Sequence, residues 1–271
     1  LTQRLTAATR GFAKADLLAA CEAQGVPAGP INDLAETFAA EKAHLHLTAR
    51  STDKLEALKE QIIANHAVEV TLYSSDLAQP GTCAALSEAV GSVDILVNNA
   101  GAIPSGSLWD VDEEAWRKGW DLKVMGYINL CRLFYKKMQA AGAGVIINNI
   151  GNGGEVFDAK YIAGTTGNAS LMAFTRALGG NSLADNIRVV GVNPGPVDTD
   201  RIYNMLKKRA ASELGDANRY KELEATYPLG RPAHKYEISD LIVFLASFRS
   251  GYTSGAIFTI DGGITSRRSI I

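Results

Sequence analysis

Tyr161, Gly164 and Asn168 stand three and four residues apart in "YIAGTTGN", so they share one stripe of the helix this run predicts. A phenol and a carboxamide on one stripe combine a proton donor with a two-way hydrogen-bonding group. Phenols ionise far above neutrality, so such a donor works best where a cation lowers its pKa. Glu155 and Asp158, in the loop just before, are weaker acid–base candidates, because most loop carboxylates are simply solvated. His44 and His46 alternate on a short apolar stretch, and Cys21, Cys83 and Cys131 are far apart; neither set has metal-ligand spacing, and no metal is expected.

Strands and helices must hold these residues. From about residue 43 the two alternate. "AHLHLTAR" reads as a short strand, and "STDKLEALKEQIIANH" as a helix whose start Ser51 or Thr52 would cap. "AVEVTLYSSD" alternates as a strand does, and "PGTCAALSEAVG" is a short helix ended by glycine. "VDILVNNAG", "GVIINNIG" and "IRVVGVNPG" are continuous apolar runs, as strands buried on both faces require; "GAIFTIDGG" closes the series. "DEEAWRKGWDLKVMGYINLCRLFYKKMQAAG" predicts one long helix, acidic at its start and basic near its end. The order implies an α/β protein with a doubly wound, mostly parallel sheet and helices on both faces. Ligands bind such sheets at the carboxyl ends of the strands, where Arg50, Asp76 and residues 98–101, 151–154 and 194–199 fall.

Bulk properties narrow the partners. The 271 residues are 46% hydrophobic with a net charge of −2, enough for a full core and too neutral for nucleic acid or a membrane surface. No apolar run approaches the ~20 residues that span a bilayer. The opening "LTQRLTAATRGFAK" lacks the apolar stretch of a signal peptide. Scattered cysteines suit a reducing cytosol, so a cytoplasmic protein with a small-molecule substrate is expected.

"DILVNNAG", "NPGPVDT" and "GYTSGAIFTIDGG", in this order, resemble the short-chain dehydrogenase/reductase family over about residues 43–264. The resemblance implies a Rossmann-type domain and a nicotinamide cofactor. It places Asn98, Ala100 and Gly101 on the adenosine side and Asp76 at the adenine. It places Pro194, Gly195, Val197 and Thr199 in the turn that holds the nicotinamide carboxamide. Where an NAD enzyme carries a carboxylate for the ribose 2′-hydroxyl, this chain has Ala49 followed by Arg50 and Ser51. A guanidinium suits a 2′-phosphate, so NADP is expected over NAD. Family members pair helices into dimers and tetramers, which implies a homo-oligomer. Tyr127, Leu130, Phe134, Met172 and Phe174 are available for that surface or for the core.

Two departures stand out. "LLAACEAQGVPAGPINDLAETFA" occupies the place of the first strand and phosphate loop, and resembles the C-terminal part of family III CoA-transferases over about residues 10–39. Gly25 and Gly29 align with the first two phosphate-loop glycines, while Ile31 takes the third place and Pro27 and Pro30 remove N–H donors. The expected division is a helical N-terminal extension at residues 1–41 and a dehydrogenase-like domain at 42–271, with the first βα unit altered.

The second departure is catalytic. The family's Asn, Ser, Tyr and Lys align with Lys123, Gly151, Gly164 and Asn168, so asparagine and lysine have traded places. Tyr161 then offers a phenol about one turn, ~5 Å, from the usual one, with Lys123 lowering its pKa for a substrate set further out. The expected activity is an NADP-dependent carbonyl/alcohol oxidoreductase with catalytic Tyr161, Lys123 and Asn168. The alternative is a binding or scaffold protein of the same fold that has lost its cofactor. Substrate choice would lie in residues 201–230.

Overall fold

The computed structural model describes residues 30–267. Six strands alternate with helices in chain order: α1 (Pro30–Ala40), β1 (Leu45–Ala49), α2 (Thr52–Asn65), β2 (Val70–Ser74), α3 (Thr82–Val90) and β3 (Ile95–Asn98). There follow α4 (Glu113–Trp120), α5 (Gly126–Ala141), β4 (Gly144–Asn149), α6 (Ile162–Gly179) and β5 (Ile187–Pro194). The series ends with α7 (Asp200–Leu214), the short α8 (Tyr220–Glu224), α9 (Lys235–Ala246) and β6 (Ile257–Ile260).

Every strand pair is parallel. β1 pairs with β2, and β3-β4-β5-β6 form a second hydrogen-bonded set in that order. β5 is buried from Ile187 to Asn193, which is why its sequence is apolar without alternation. Helix α1 joins the two sets. Its Ala35 and Ala39 pack with Leu47, Leu55, Leu58 and Ile62, while Phe38 packs with Ile147, Val190 and Ile242. Residues 35, 38 and 39 share one stripe, so one helix serves both clusters. Of the run likened to a CoA-transferase tail, only its last part is described, and there α1 packs into the core. Gly25 and Gly29 lie outside the described residues.

Three local expectations are refined. Ser51 holds the N-cap position of α2 but makes no side-chain capping bond, and the Thr52 hydroxyl turns instead to the Ser74 hydroxyl, 3.0 Å away. Tyr127, Leu130, Phe134 and Met172 are all core residues at 6% exposure or less, and the Tyr127 hydroxyl donates to the Asn149 carbonyl. They are therefore closed to an oligomer surface. The expected long helix runs unbroken through α4 and α5 and contains a π-helical turn, Asp121–Met125, at whose centre Lys123 sits. Such turns are uncommon and concentrate at functional sites.

Candidate active site

The site forms above the carboxyl ends of β3, β4 and β5. Asn98, the last residue of β3, donates to Asn148 Oδ1 at 2.9 Å, and Asn148 donates to Thr175 on α6 at 2.9 Å. This buried chain ties β3, β4 and α6 together beneath the crevice. Ala100 and Gly101 follow at the rim of β3. Gly195 donates its N–H to the Ile260 carbonyl at 3.0 Å, and a Cβ on it would meet Asp261 Cβ at 2.7 Å. Only glycine lets the 194–199 turn approach β6 so closely. Val197 bridges to Ala233, and Thr199 is the N-cap of α7.

Tyr161 departs from the expected geometry. It is the N-cap residue of α6, with φ −137° and ψ 36°, so it stands outside the helical stripe shared by Gly164 and Asn168. A backbone bridge to Gly106 anchors it, with the Gly106 N–H donating to the Lys160 carbonyl at 2.7 Å. From there its ring folds back over Gly164. A Cβ built on Gly164 would lie 1.9 Å from Tyr161 Cζ and 2.2 Å from its Cε1. The ring occupies the space where a side chain at position 164 would begin, instead of reaching one turn further out.

Lys123 reaches the same crevice from the π turn. Its stem passes over Gly101, where a Cβ would meet Lys123 Cδ at 2.8 Å, and its ammonium donates to the Ile150 carbonyl. Burial, with a smaller contribution from the positive charge of Arg201, brings its pKa down to about 7. The cation bonded to the Tyr161 oxygen is Arg201, whose Nη2 donates to it at 3.4 Å; the expected Lys123–Tyr161 pairing is replaced. Arg201 also donates to the Gly101 and Ile103 carbonyls at 3.4 and 3.2 Å. Sequence reading missed Arg201, a single arginine after the "NPGPVDT" turn in a stretch without a motif.

Asn168 is buried at 3% exposure. Its Nδ2 lies 3.4 and 3.2 Å from where Cβ atoms on Gly151 and Gly153 would stand, and its Oδ1 has no hydrogen-bond partner. Gly151 has φ 115°, a backbone state that L side chains rarely adopt, so a serine would be strained there. Glu155 accepts from Asn193 and from Thr259, each at 2.9 Å, and Asp158 accepts from the Lys160 N–H at 2.8 Å. Both are committed to positioning their own loops. Asp76 accepts from the Ala78 N–H at 3.1 Å and borders a depression of about 580 Å³. Arg50 is exposed at the end of β1, beside Ser51. Among the described residues no group of three His, Cys, Asp or Glu side chains could hold a metal ion, and no helix is long and apolar enough to cross a membrane.

The buried ammonium has a measurable cost. Lys123 ionises near 7 in the fold and near 10.5 when unfolded, so between those pH values the unfolded chain holds the extra proton. Stability from this group therefore rises with pH across that window. Lys123→Met is expected to stabilise the protein by on the order of 1 kcal/mol below pH 7, with the gain fading toward pH 10.5. Thermal unfolding of both proteins across that range checks it; a gain that grows with pH contradicts it.

The parallel sheet and the polar crevice at its carboxyl edge define the class, an open α/β sheet of dinucleotide-enzyme type. A family model described as enoyl-(acyl carrier protein) reductase matches residues 32–265, and the chain belongs to the short-chain dehydrogenase/reductase family. The match begins inside the segment read as an extension. Galactitol 2-dehydrogenase (L-tagatose-forming) of Cereibacter sphaeroides is 31% identical over 249 residues, 91% of this chain and 95% of that one. The 2-keto-3-deoxy-L-fuconate dehydrogenase of Xanthomonas campestris pv. campestris is 29% identical over 83% of this chain and 74% of its own. The crystal structure of L-sorbose reductase from Gluconobacter frateurii, complexed with NADPH and L-sorbose, superposes with a TM-score of 0.82. It is 31% identical and the match covers 90% of this chain and 95% of that one.

Proposed function

We propose that the chain is an NADP-dependent oxidoreductase acting on a carbonyl/alcohol pair, with Tyr161 as its proton donor. The observation that supports this reading is the Tyr161 ring lying over Gly164, which brings a phenol beside the position aligned with the family's tyrosine. The relatives support it: they are dehydrogenases, and two similar solved structures are reductases described with NADPH or as NADPH-dependent.

The residues present fit such a cofactor. The buried Asn168 Oδ1 is an acceptor without a donor, at the position where the family's lysine meets the ribose, and a ribose hydroxyl would satisfy it. Asp76, Asn98, Ala100 and Gly101 would line the adenosine side. Pro194, Gly195, Val197 and Thr199 would hold the carboxamide, and Arg50 with Ser51 would take the 2′-phosphate. Gly25 and Gly29 would serve the pyrophosphate. When bound, the nicotinamide supplies or accepts the hydride. Tyr161 donates its proton to the carbonyl oxygen, with Arg201 Nη2 standing 3.4 Å from the phenol oxygen. Lys123 keeps the crevice positive below pH 7. By family habit the working form is a homo-oligomer in the cytoplasm, built on surfaces other than the buried residues named above.

Arg50→Glu tests the cofactor assignment. NADPH affinity should fall at least about tenfold, with NADH affinity kept or improved. Unchanged NADPH affinity removes Arg50 from the site. A panel of ketoses, cyclic ketones and oxo acids, followed by NADPH absorbance, then tests the reaction class.

A further inference from the structure

Two cations share this crevice, and neither is paired with a carboxylate. Unlike Arg117, Arg209, Arg219 and Arg231, neither Lys123 nor Arg201 forms an ion pair among the described residues. The Lys123 ammonium has the Ile150 carbonyl, and Arg201 has two carbonyls and a phenol at 3.2 to 3.4 Å. These contacts orient the guanidinium without neutralising it, and its remaining N–H donors stay available. The acids nearby are occupied. Glu155 serves Asn193 and Thr259, and Asp261 serves Asn152, Gly263 and Thr265. Asp200, beside Arg201 in sequence, lines a separate depression with Tyr203 and Lys207. Like charges held in one partly buried place are costly, and an anion between them removes the cost.

We propose that the substrate carries a carboxylate within one or two bonds of its reacting carbon, bound by Arg201 as the specificity-determining residue with Lys123 as second cation. The proposal rests on the oxidoreductase reading above. Its geometry follows from Arg201 Nη2 and Tyr161 Oη standing 3.4 Å apart. A carboxylate on the guanidinium hydrogens these contacts leave unused, at Nε and Nη1, and a carbonyl oxygen on the phenol, each at the usual ~2.8 Å, bring the two substrate groups within a few ångströms. That is the spacing in 2-oxo and 3-oxo acids and their hydroxy acids. A neutral polyol leaves both charges unanswered.

The test uses the full chain and its Arg201→Gln variant with NADPH. Matched pairs are compared: 2-oxobutanoate with its methyl ester, and acetoacetate with its ethyl ester. The proposal expects kcat/KM for an acid to exceed its ester by about 30-fold or more, with Arg201→Gln abolishing the preference and leaving NADPH affinity unchanged. Equal rates for acid and ester overturn it. So does a variant that weakens NADPH binding but keeps the acid preference, because Arg201 then serves a cofactor phosphate. If none of the four compounds turns over, calorimetric titration of the NADPH-saturated protein with oxamate decides, and absence of binding overturns the proposal. Failure to bind NADPH, read separately by nicotinamide fluorescence, strikes the oxidoreductase reading itself and this proposal with it.

Discussion

Gly164→Ala lowers turnover by about 100-fold or more while leaving the fold intact, because it moves the phenol and little else. An alanine methyl at this position falls 1.9 Å from Tyr161 Cζ, a distance no real pair of carbons tolerates. Tyr161 must then swing aside, and as a half-buried N-cap residue it has solvent to swing into. The helix itself gains from the change, since alanine is favoured over glycine in a helix interior by about 0.5–1 kcal/mol. Stability is therefore expected to stay within about 1 kcal/mol of the wild type while activity collapses. Denaturant unfolding and initial rates on the same preparations check both halves. A variant of full activity shows that the phenol over Gly164 is not the working one.

Tyr161→Phe has the second large effect. The ring keeps its place over Gly164, so packing is preserved and only the oxygen at Arg201 is lost. Removing the group that protonates the substrate oxygen costs about 10²- to 10⁴-fold in kcat. NADPH affinity should not change, because no cofactor contact is assigned to this hydroxyl. The pair of substitutions is informative together: Gly164→Ala displaces the phenol and Tyr161→Phe deletes its oxygen, so both should reduce kcat far more than they raise KM. Turnover retained in Tyr161→Phe hands the proton transfer to another group, with Lys123 next in line by its pKa of about 7.

The frame was legible in the sequence because a short, continuous apolar run bounded by turn residues suits a strand covered on both faces. "IRVVGVNP" is a strand buried along nearly its whole length, and "ILVN" and "GVIINN" pair on the same sheet. The crevice was legible too, since polar and glycine-rich turns marked the carboxyl ends of those strands. What escaped was side-chain direction. Sequence spacing put Tyr161 on the stripe of Gly164 and Asn168, but the N-cap backbone at φ −137° removes it from that stripe and turns the ring back. Nor does periodicity register a single π turn, so Asp121–Met125 read as ordinary α-helix. Arg201 had no signal beyond its nearness to a turn; its role comes from three long contacts made to residues far away in the chain.

Two glycines make room for Lys123 and Tyr161. Gly101 leaves room for the Lys123 stem and Gly164 for the Tyr161 ring, so each cradle is filled by a side chain from another position. The proposed exchange of asparagine and lysine fits the same scheme. Asn168 turns its amide toward the 151–153 loop, where the backbone of Gly151 excludes a serine, and the positive charge enters from the π turn.

The most direct measurement is a titration of the full chain with NADPH and then NADH, followed by nicotinamide fluorescence and by heat. Saturable NADPH binding in the micromolar range is expected, with NADH at least about tenfold weaker, as the proposed pairing of Arg50 with the 2′-phosphate requires. Binding of neither nucleotide would contradict it and leave a short-chain dehydrogenase fold that has given up its cofactor.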